Sequence, residues 1–188
     1  MPPRLIEEVT VDLFPMFGRS KGRHVSEAIH AIMRDLYPER FADTPIDLTR
    51  ANLGNAFERA MIEALSELHP DRYARPGQLE HEGVFGTPDL WDVNDWATLE
   101  FKLTWASARR AEDIEDVWFW RYWVQLKAYC HMAGQTTGRL CIGFVNGDYG
   151  RGDSGGPKIL MFEDSWDVDE LQENWEMLTT RLDEIHGR

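Results

Sequence analysis

The sequence predicts a mixed α/β domain, a central mixed β-sheet flanked by helices. Three observations predict it. Helical and strand hydrophobic periods alternate along the chain in the order helix, helix, strand, strand, helix, strand, strand, helix. The length of 188 residues matches one domain of roughly 100–200 residues, so the expected organisation is a single domain over residues 1–188. Hydrophobic residues make up 43%, enough for a core and too many for a chain disordered throughout. There is no internal repeat and no low-complexity segment.

The segment from Met1 to about Gly22 is punctuated by Pro and Gly and is expected to be irregular. His24 to Leu36 carries Val25, Ile29, Ile32, Met33 and Leu36 at helical spacing, and Tyr37-Pro38 ends it. A polar connection follows to about Pro45. Thr49 to Leu68 is the second helix, with Leu53, Phe57, Ala60, Met61, Ala64, Leu65 and Leu68 as its apolar face. Gly54 and Glu58 fall on one border of that face, so Glu58 is expected half-buried, able to point into a cleft. His69-Pro70 stops the helix. Gln78 to Val93 reads as a β-ribbon broken by Gly83 and Gly86, and Trp96 to Trp105 as the next strand, with the Asn94-Asp95 turn between them. In that strand Leu99, Phe101 and Leu103 share one face and Glu100, Lys102 and Thr104 the other. Ile114 to Ala133 is a long helix ending at Gly134. Arg139 to Val145 and Lys158 to Phe162 are strands around the loop NGDYGRGDSGGP. Asp167 to His186 is a terminal helix with an acidic start.

Composition excludes several classes of function. Twenty Lys and Arg against 33 Asp and Glu give a net charge of −13, which argues against indiscriminate nucleic-acid binding but leaves room for a local basic groove. No apolar run approaches the ~18–20 residues that cross a bilayer, so no membrane partner is expected. The stretch MPPRLIEEVTVDL has acids where an export signal needs basic and then apolar residues, so a cytoplasmic location is expected. Cys130 and Cys141 are too few for a disulfide framework or a structural zinc site and read as core positions.

Asp89, Glu100 and Lys102 carry the chemistry. Asp89 sits in GTPDL and Glu100 and Lys102 in LEFKL, where alternation puts both side chains on one side of a strand. Two carboxylates brought together across a tight ribbon repel each other unless a cation lies between them. Oxygen ligands of this kind suit Mg²⁺ or Mn²⁺. A lysine beside them can hold an attacking water or neutralise charge developing on a phosphate. Glu58 can supply a further carboxylate. Glu-x-Lys by itself is also common on solvated strand faces; the chemistry rests on the set. Gln125 and Tyr129 are four residues apart, on a helical stripe with Trp118, Tyr122 and Met132. That stripe is either core with one satisfied amide or a face that positions substrate.

Together these residues resemble the PD-(D/E)XK nuclease superfamily, and more closely its RecB-type branch, which includes bacteriophage exonucleases. The branch pattern is a helical G-x-x-x-E, then G-x-P-D, E-x-K and Q-x-x-x-Y. Here these are Gly54 to Glu58, Gly86 to Asp89, Glu100 to Lys102 and Gln125 to Tyr129, in the same order, within roughly residues 24–145. The resemblance implies a restriction-endonuclease-like core and hydrolysis of phosphodiesters with Mg²⁺ or Mn²⁺. It places Glu58, Asp89 and Glu100 at the metal, Lys102 with Asp89 and Glu100 in catalysis, and Gln125 and Tyr129 in substrate positioning. It implies DNA as partner, at duplex ends or as a single strand, in recombination, repair or processing in a bacterial cell or phage-infected host. A recombination or replication partner protein and a homo-oligomer, such as the toroids of some phage exonucleases, are compatible with it. Some relatives carry a four-cysteine iron–sulfur site; with two cysteines, no iron–sulfur cluster is expected.

Basic residues form two groups: Arg19, Lys21, Arg23 and His24, and a looser set of Arg109, Arg110, Arg121 and Lys127. Beside the carboxylates, either group can hold a phosphate backbone, with Arg109, Arg110 and Arg121 the named DNA-contact candidates. Trp118, Trp120 and Trp123 can stack unpaired bases or can be core and surface aromatics. The string GDSGGP at Gly152 to Pro157 resembles the serine motif of chymotrypsin-like proteases over six residues only. Long helical patterns and the lack of a matching histidine context make it a Gly-rich turn. The alternative to an enzyme is a catalytically silent adaptor on the same fold, a DNA mimic or acidic recruiter. Metal binding separates the two, because an adaptor need bind none.

Overall fold

A computed structural model describes residues 22–41, 48–108, 117–146 and 158–187. The chain runs β1 (Arg23–His24), α1 (Val25–Leu36), α2 (Pro38–Phe41), α3 (Leu48–Leu68), β2 (Tyr73–Ala74), β3 (Leu79–His81), β4 (Val84–Gly86), β5 (Leu90–Asp92), β6 (Ala97–Ser107), α4 (Val117–Ala133), β7 (Thr137–Asn146), β8 (Lys158–Ser165) and α5 (Val168–His186). The expected mixed α/β architecture is present. Five strands form the main sheet in the order β2-β5-β6-β7-β8, with β6 and β7 parallel and the other pairs antiparallel. A small second sheet has the order β1-β4-β3.

Helix α4 makes the crossover between the parallel strands β6 and β7, the connection that such a pair requires. Its position explains its composition. One side packs through Phe119, Tyr122, Leu126 and Cys130 onto Leu140, Ile142 and Phe144 of β7. The other packs through Val124, Ala128 and Tyr129 against α1 and the Trp175, Leu178 and Leu182 face of α5. Helix α3 covers the opposite face of the sheet, where Ile62 meets Leu90, Leu99, Phe101 and Cys141. Gly143 in β7 makes that approach possible: a Cβ there would lie 2.8 Å from the Phe57 ring. Asp167 caps α5 by accepting from the Glu170 N–H at 2.7 Å, and Gly187 closes it in the left-handed region.

The structure departs from the sequence expectation in four places. The ribbon read over Gln78 to Val93 is divided between two sheets. Strands β3 and β4 form a hairpin in the small sheet, whereas β5 joins the main one. Pro88 stands between them, and a residue without an N–H interrupts a ladder. The buried stripe of α3 is narrower than its periodicity suggests. Leu53 is 44% and Leu68 70% exposed, Ala60 and Ala64 are exposed, and Ile62 takes the core position, because only the middle of the helix lies over the sheet. Leu36 is likewise 56% exposed at the end of α1. The two-residue strands β1 and β2 and the single turn α2 are too short for a hydrophobic period to register. The segments Met1 to Lys21, Arg109 to Asp116 and Gly147 to Pro157, with Arg19, Lys21, Arg109, Arg110 and the GDSGGP loop, lie outside the described residues.

Candidate active site

Alternation along β6 decides which side chains meet. Leu99 and Phe101 sink into the core beneath α3, so Glu100 and Lys102 emerge on the other side of the strand. Strand β5 stays in register with β6 only from Asp92–Ala97 to Leu90–Leu99. Beyond that pair the edge of β6 is met by a side chain: the Phe101 N–H donates to Asp89 Oδ2 at 2.7 Å. The sheet forks here. The fork opens a cleft of about 670 Å³, lined by Glu58 from α3, Asp89 from the turn before β5, Glu100 and Lys102 from β6, and Gln125 and Tyr129 from α4. Six residues from four separate segments thus share one cleft.

Local sequence explains how the walls close. Gly86 lies against α4: a Cβ there would stand 2.7 Å from Tyr129 Cε1 and 2.9 Å from Met132 Sδ. Only glycine lets the β4–β5 turn approach Tyr129 this closely, and that approach sets Asp89 beside the cleft. Gly54 has no such reason, since an added Cβ would meet nothing within 4 Å. The Gln125 amide donates to the Tyr129 hydroxyl at 2.8 Å, one turn apart on the same helical face.

The electrostatics are lopsided. Glu100 is 2% exposed, and its Oε1 accepts from the Lys102 ammonium, while its buried Oε2 has no hydrogen-bond donor. Burial, then the charge of Glu100, pushes Asp89 well above the usual carboxylate range. Burial pushes Glu100 up too, against the pull of Lys102. For Lys102 itself, burial works to lower the pKa, but the carboxylates of Glu100 and Asp89 outweigh it, so the ammonium stays charged. Tyr129 is raised by burial and by Glu100, which keeps its hydroxyl protonated. Among the described residues one lysine therefore serves a group of carboxylates that also includes Glu58, whose charge raises both neighbours.

Among the described residues no three acidic, His or Cys side chains stand ready-formed as a metal cage, and the Lys102 ammonium holds one oxygen of Glu100. The donors nevertheless fit a hard divalent cation. They are all carboxylate oxygens, they carry excess negative charge, and one buried oxygen lacks any donor.

No family model matches the chain, and the curated proteins contain no sequence match. Solved structures do match. The alkaline exonuclease of Laribacter hongkongensis has a TM-score of 0.60 and 14% identity over 88% of each chain. This chain shares its fold with that enzyme. The same Laribacter enzyme in complex with dAMP gives a TM-score of 0.58 at 15% identity, again over 88% of each chain. A phage-related exonuclease from Haemophilus somnus gives 0.53 at 12% identity, over 87% of this chain and 82% of the other. At these identities the likeness is one of fold, and it agrees with the resemblance to PD-(D/E)XK nucleases carried by the four motifs.

The remaining candidates divide. Arg121 lies beside Tyr122, to whose hydroxyl it donates at 2.9 Å. Lys127 points away, to Glu170 of α5 at 2.5 Å. Arg23 also turns from the cleft, bridging to Asp183 at 2.7 Å and to the Thr179 carbonyl. Trp120 and Trp123 are partly buried packing residues, Trp123 edge-on to Trp166, and neither lines the cleft. His24, Ser26, Gln78 and Thr87 do line it. From the sequence His24 has only a place in a basic group and the other three have no role, because single polar residues near element ends carry no periodic signal. Cys130 and Cys141 are both buried, as core positions should be, and burial lifts their thiols to about 12 and about 11.

Proposed function

We propose that this protein is a divalent-metal-dependent nuclease that hydrolyses phosphodiester bonds of DNA, acting from ends as an exonuclease. The observation that carries this reading is the cleft itself. Glu58, Asp89, Glu100 and Lys102 converge there with, among the described residues, one lysine for three carboxylates and with Glu100 Oε2 left without a donor. Structural cores do not keep such an imbalance without a use for it. The exonuclease folds of the structural neighbours, one of them solved with dAMP, support the same substrate class.

Glu58, Asp89 and Glu100 would hold Mg²⁺ or Mn²⁺. A bound divalent cation supplies positive charge to a scissile phosphate and lowers the pKa of a water. The chain's own residues do the rest. Lys102, held charged, orients the attacking water and offsets negative charge developing on the phosphate. The Asp89 carboxylate keeps its place through the Phe101 N–H. Gln125 gives one N–H to Tyr129 and keeps a second N–H and its carbonyl to orient a phosphate or water at the cleft.

The test is cleavage of end-labelled linear and closed circular duplex with Mg²⁺, Mn²⁺ or chelator, beside calorimetric titration with Mn²⁺. Loss of the linear substrate only with metal, with the circle spared, is the expected result. Absence of both Mn²⁺ binding and cleavage would overturn the proposal in favour of a silent adaptor.

A further inference from the structure

A second cleft of about 460 Å³ begins one residue past Lys102 on β6. Its volume falls within the roughly 300–1,000 Å³ of small-ligand sites. Leu103 and Trp105 of β6, Arg50 of α3 and Phe119, Arg121 and Tyr122 of α4 line it. Tyr122 joins it to the carboxylate cleft: its ring lies 6.0 Å from Lys102 Nζ, and it precedes Gln125 by one helical turn. Both clefts thus run along one strand, with Tyr122 between them.

The lining chemistry is specific. Trp105 is 39% exposed where a bulge breaks the register of β6 with β7 between Thr104 and Ser107. The Arg50 guanidinium lies 5.5 Å over its ring. The Arg121 guanidinium lies 4.8 Å over Tyr122 and 5.7 Å over Phe41, and its buried Nε has no hydrogen-bond acceptor. Among the described residues no carboxylate pairs with Arg121, and none of the described residues lining the cleft is acidic. An indole face beside a guanidinium takes a nucleobase, and an arginine without a carboxylate takes a phosphate. A duplex keeps its bases stacked on one another, so a base on Trp105 must be unpaired.

We infer that this second cleft is the subsite for an unpaired nucleotide of the substrate strand, its base on Trp105 and its phosphate at Arg121. The inference rests on the nuclease reading for the identity of the strand, but its test does not. Fluorescein-labelled oligothymidylate, and an abasic deoxyribose-phosphate oligomer of equal length, are titrated with the full-length protein in chelator and followed by anisotropy. The wild type should prefer the oligothymidylate. Trp105→Ala should weaken it on the order of tenfold, to the level of the abasic oligomer, while Trp105→Phe keeps the preference. Arg121→Ala should weaken both oligomers alike and reduce the salt slope by about one phosphate contact. Trp105 is partly exposed, so Trp105→Phe should melt close to the wild type, and the melting temperature of Trp105→Ala is read beside its affinity so that only folded protein is compared. A base preference that survives Trp105→Ala, or no preference in the wild type, would overturn the subsite. Metal-dependent cleavage is measured separately. Cleavage with no base preference sinks the subsite alone, and base preference without cleavage sinks the nuclease reading alone.

Discussion

Two acidic clusters lie at opposite ends of the short β5–β6 pairing, and they are balanced in opposite ways. At the turn end, Asp92 is fully buried and is met by two arginines: Arg72 at 2.8 Å from α3's far loop and Arg139 from β7. The Asn94 and Asp95 N–H groups complete its shell, and the same arginines reach Asp95 and, through Arg139, Glu163, each at 2.7 Å. Every charge there has a partner. At the fork end, among the described residues, three carboxylates share one lysine and a buried oxygen has no donor. Burial alone would raise Asp92, but hydrogen bonds from Arg72 and the turn hold it below the usual range, whereas Asp89 is pushed above it. The difference separates a cluster whose charges are matched, holding a turn together, from one in which the described carboxylates outnumber the described cations.

The comparison breaks first at the carboxylates. Asp89→Asn and Glu100→Gln should each abolish metal-dependent cleavage and Mn²⁺ binding. Asp89→Asn keeps the acceptor for Phe101 and removes a repelled charge, so its melting temperature without metal should equal or exceed that of the wild type. A variant that cleaves normally, or that melts well below the wild type, would place Asp89 with the structural acids. Lys102→Ala should lose on the order of 10²–10³ in cleavage rate while still binding Mn²⁺ by calorimetry. Near-normal turnover would make Lys102 a counter-charge only.

Asp92→Asn should show the opposite pattern. It strands two arginines, one of them only 13% exposed, and should cost about 3 kcal/mol, or roughly 6–12 °C in melting temperature. Activity per folded molecule should remain. Gln125→Ala should lower turnover roughly tenfold with little change in melting temperature, a large melting shift with normal turnover marking it as core. The smallest effect is in pH, and its sign differs between the clusters. Asp89 binds its proton more tightly folded than unfolded, so the advantage of Asp89→Asn should vanish below about pH 4 and grow above it. Asp92 binds its proton less tightly when folded, so the deficit of Asp92→Asn should be full above about pH 4 and fade as pH falls further. Melting curves of the three proteins across pH 3–7 read both trends.

Little in the sequence distinguishes these acids. Asp89, Asp92 and Asp95 all sit in a turn-rich stretch, and each has an apolar neighbour. Asp89 stood out through Gly86, Pro88 and the Glu-x-Lys strand, whereas the arginines that neutralise Asp92 come from positions 72 and 139, 20 and 47 residues away. The same separation hid Trp105 and Arg50, and set Lys127 and Arg23 among the basic candidates although α5 claims both.

What the sequence determined by itself was local: the alternation that puts Glu100 and Lys102 on one side of a strand, the helical spacing of Gln125 and Tyr129, and the order of elements that makes a mixed sheet with helical cover. These are properties of backbone periods, and the periods are written in adjacent residues. The tertiary structure alone decided where β5 parts from β6, how far α3 lies over the sheet, and which acids find an arginine. Those outcomes depend on distant segments meeting. A charge becomes structural or chemical according to what is packed against it, and no window of sequence contains that neighbour.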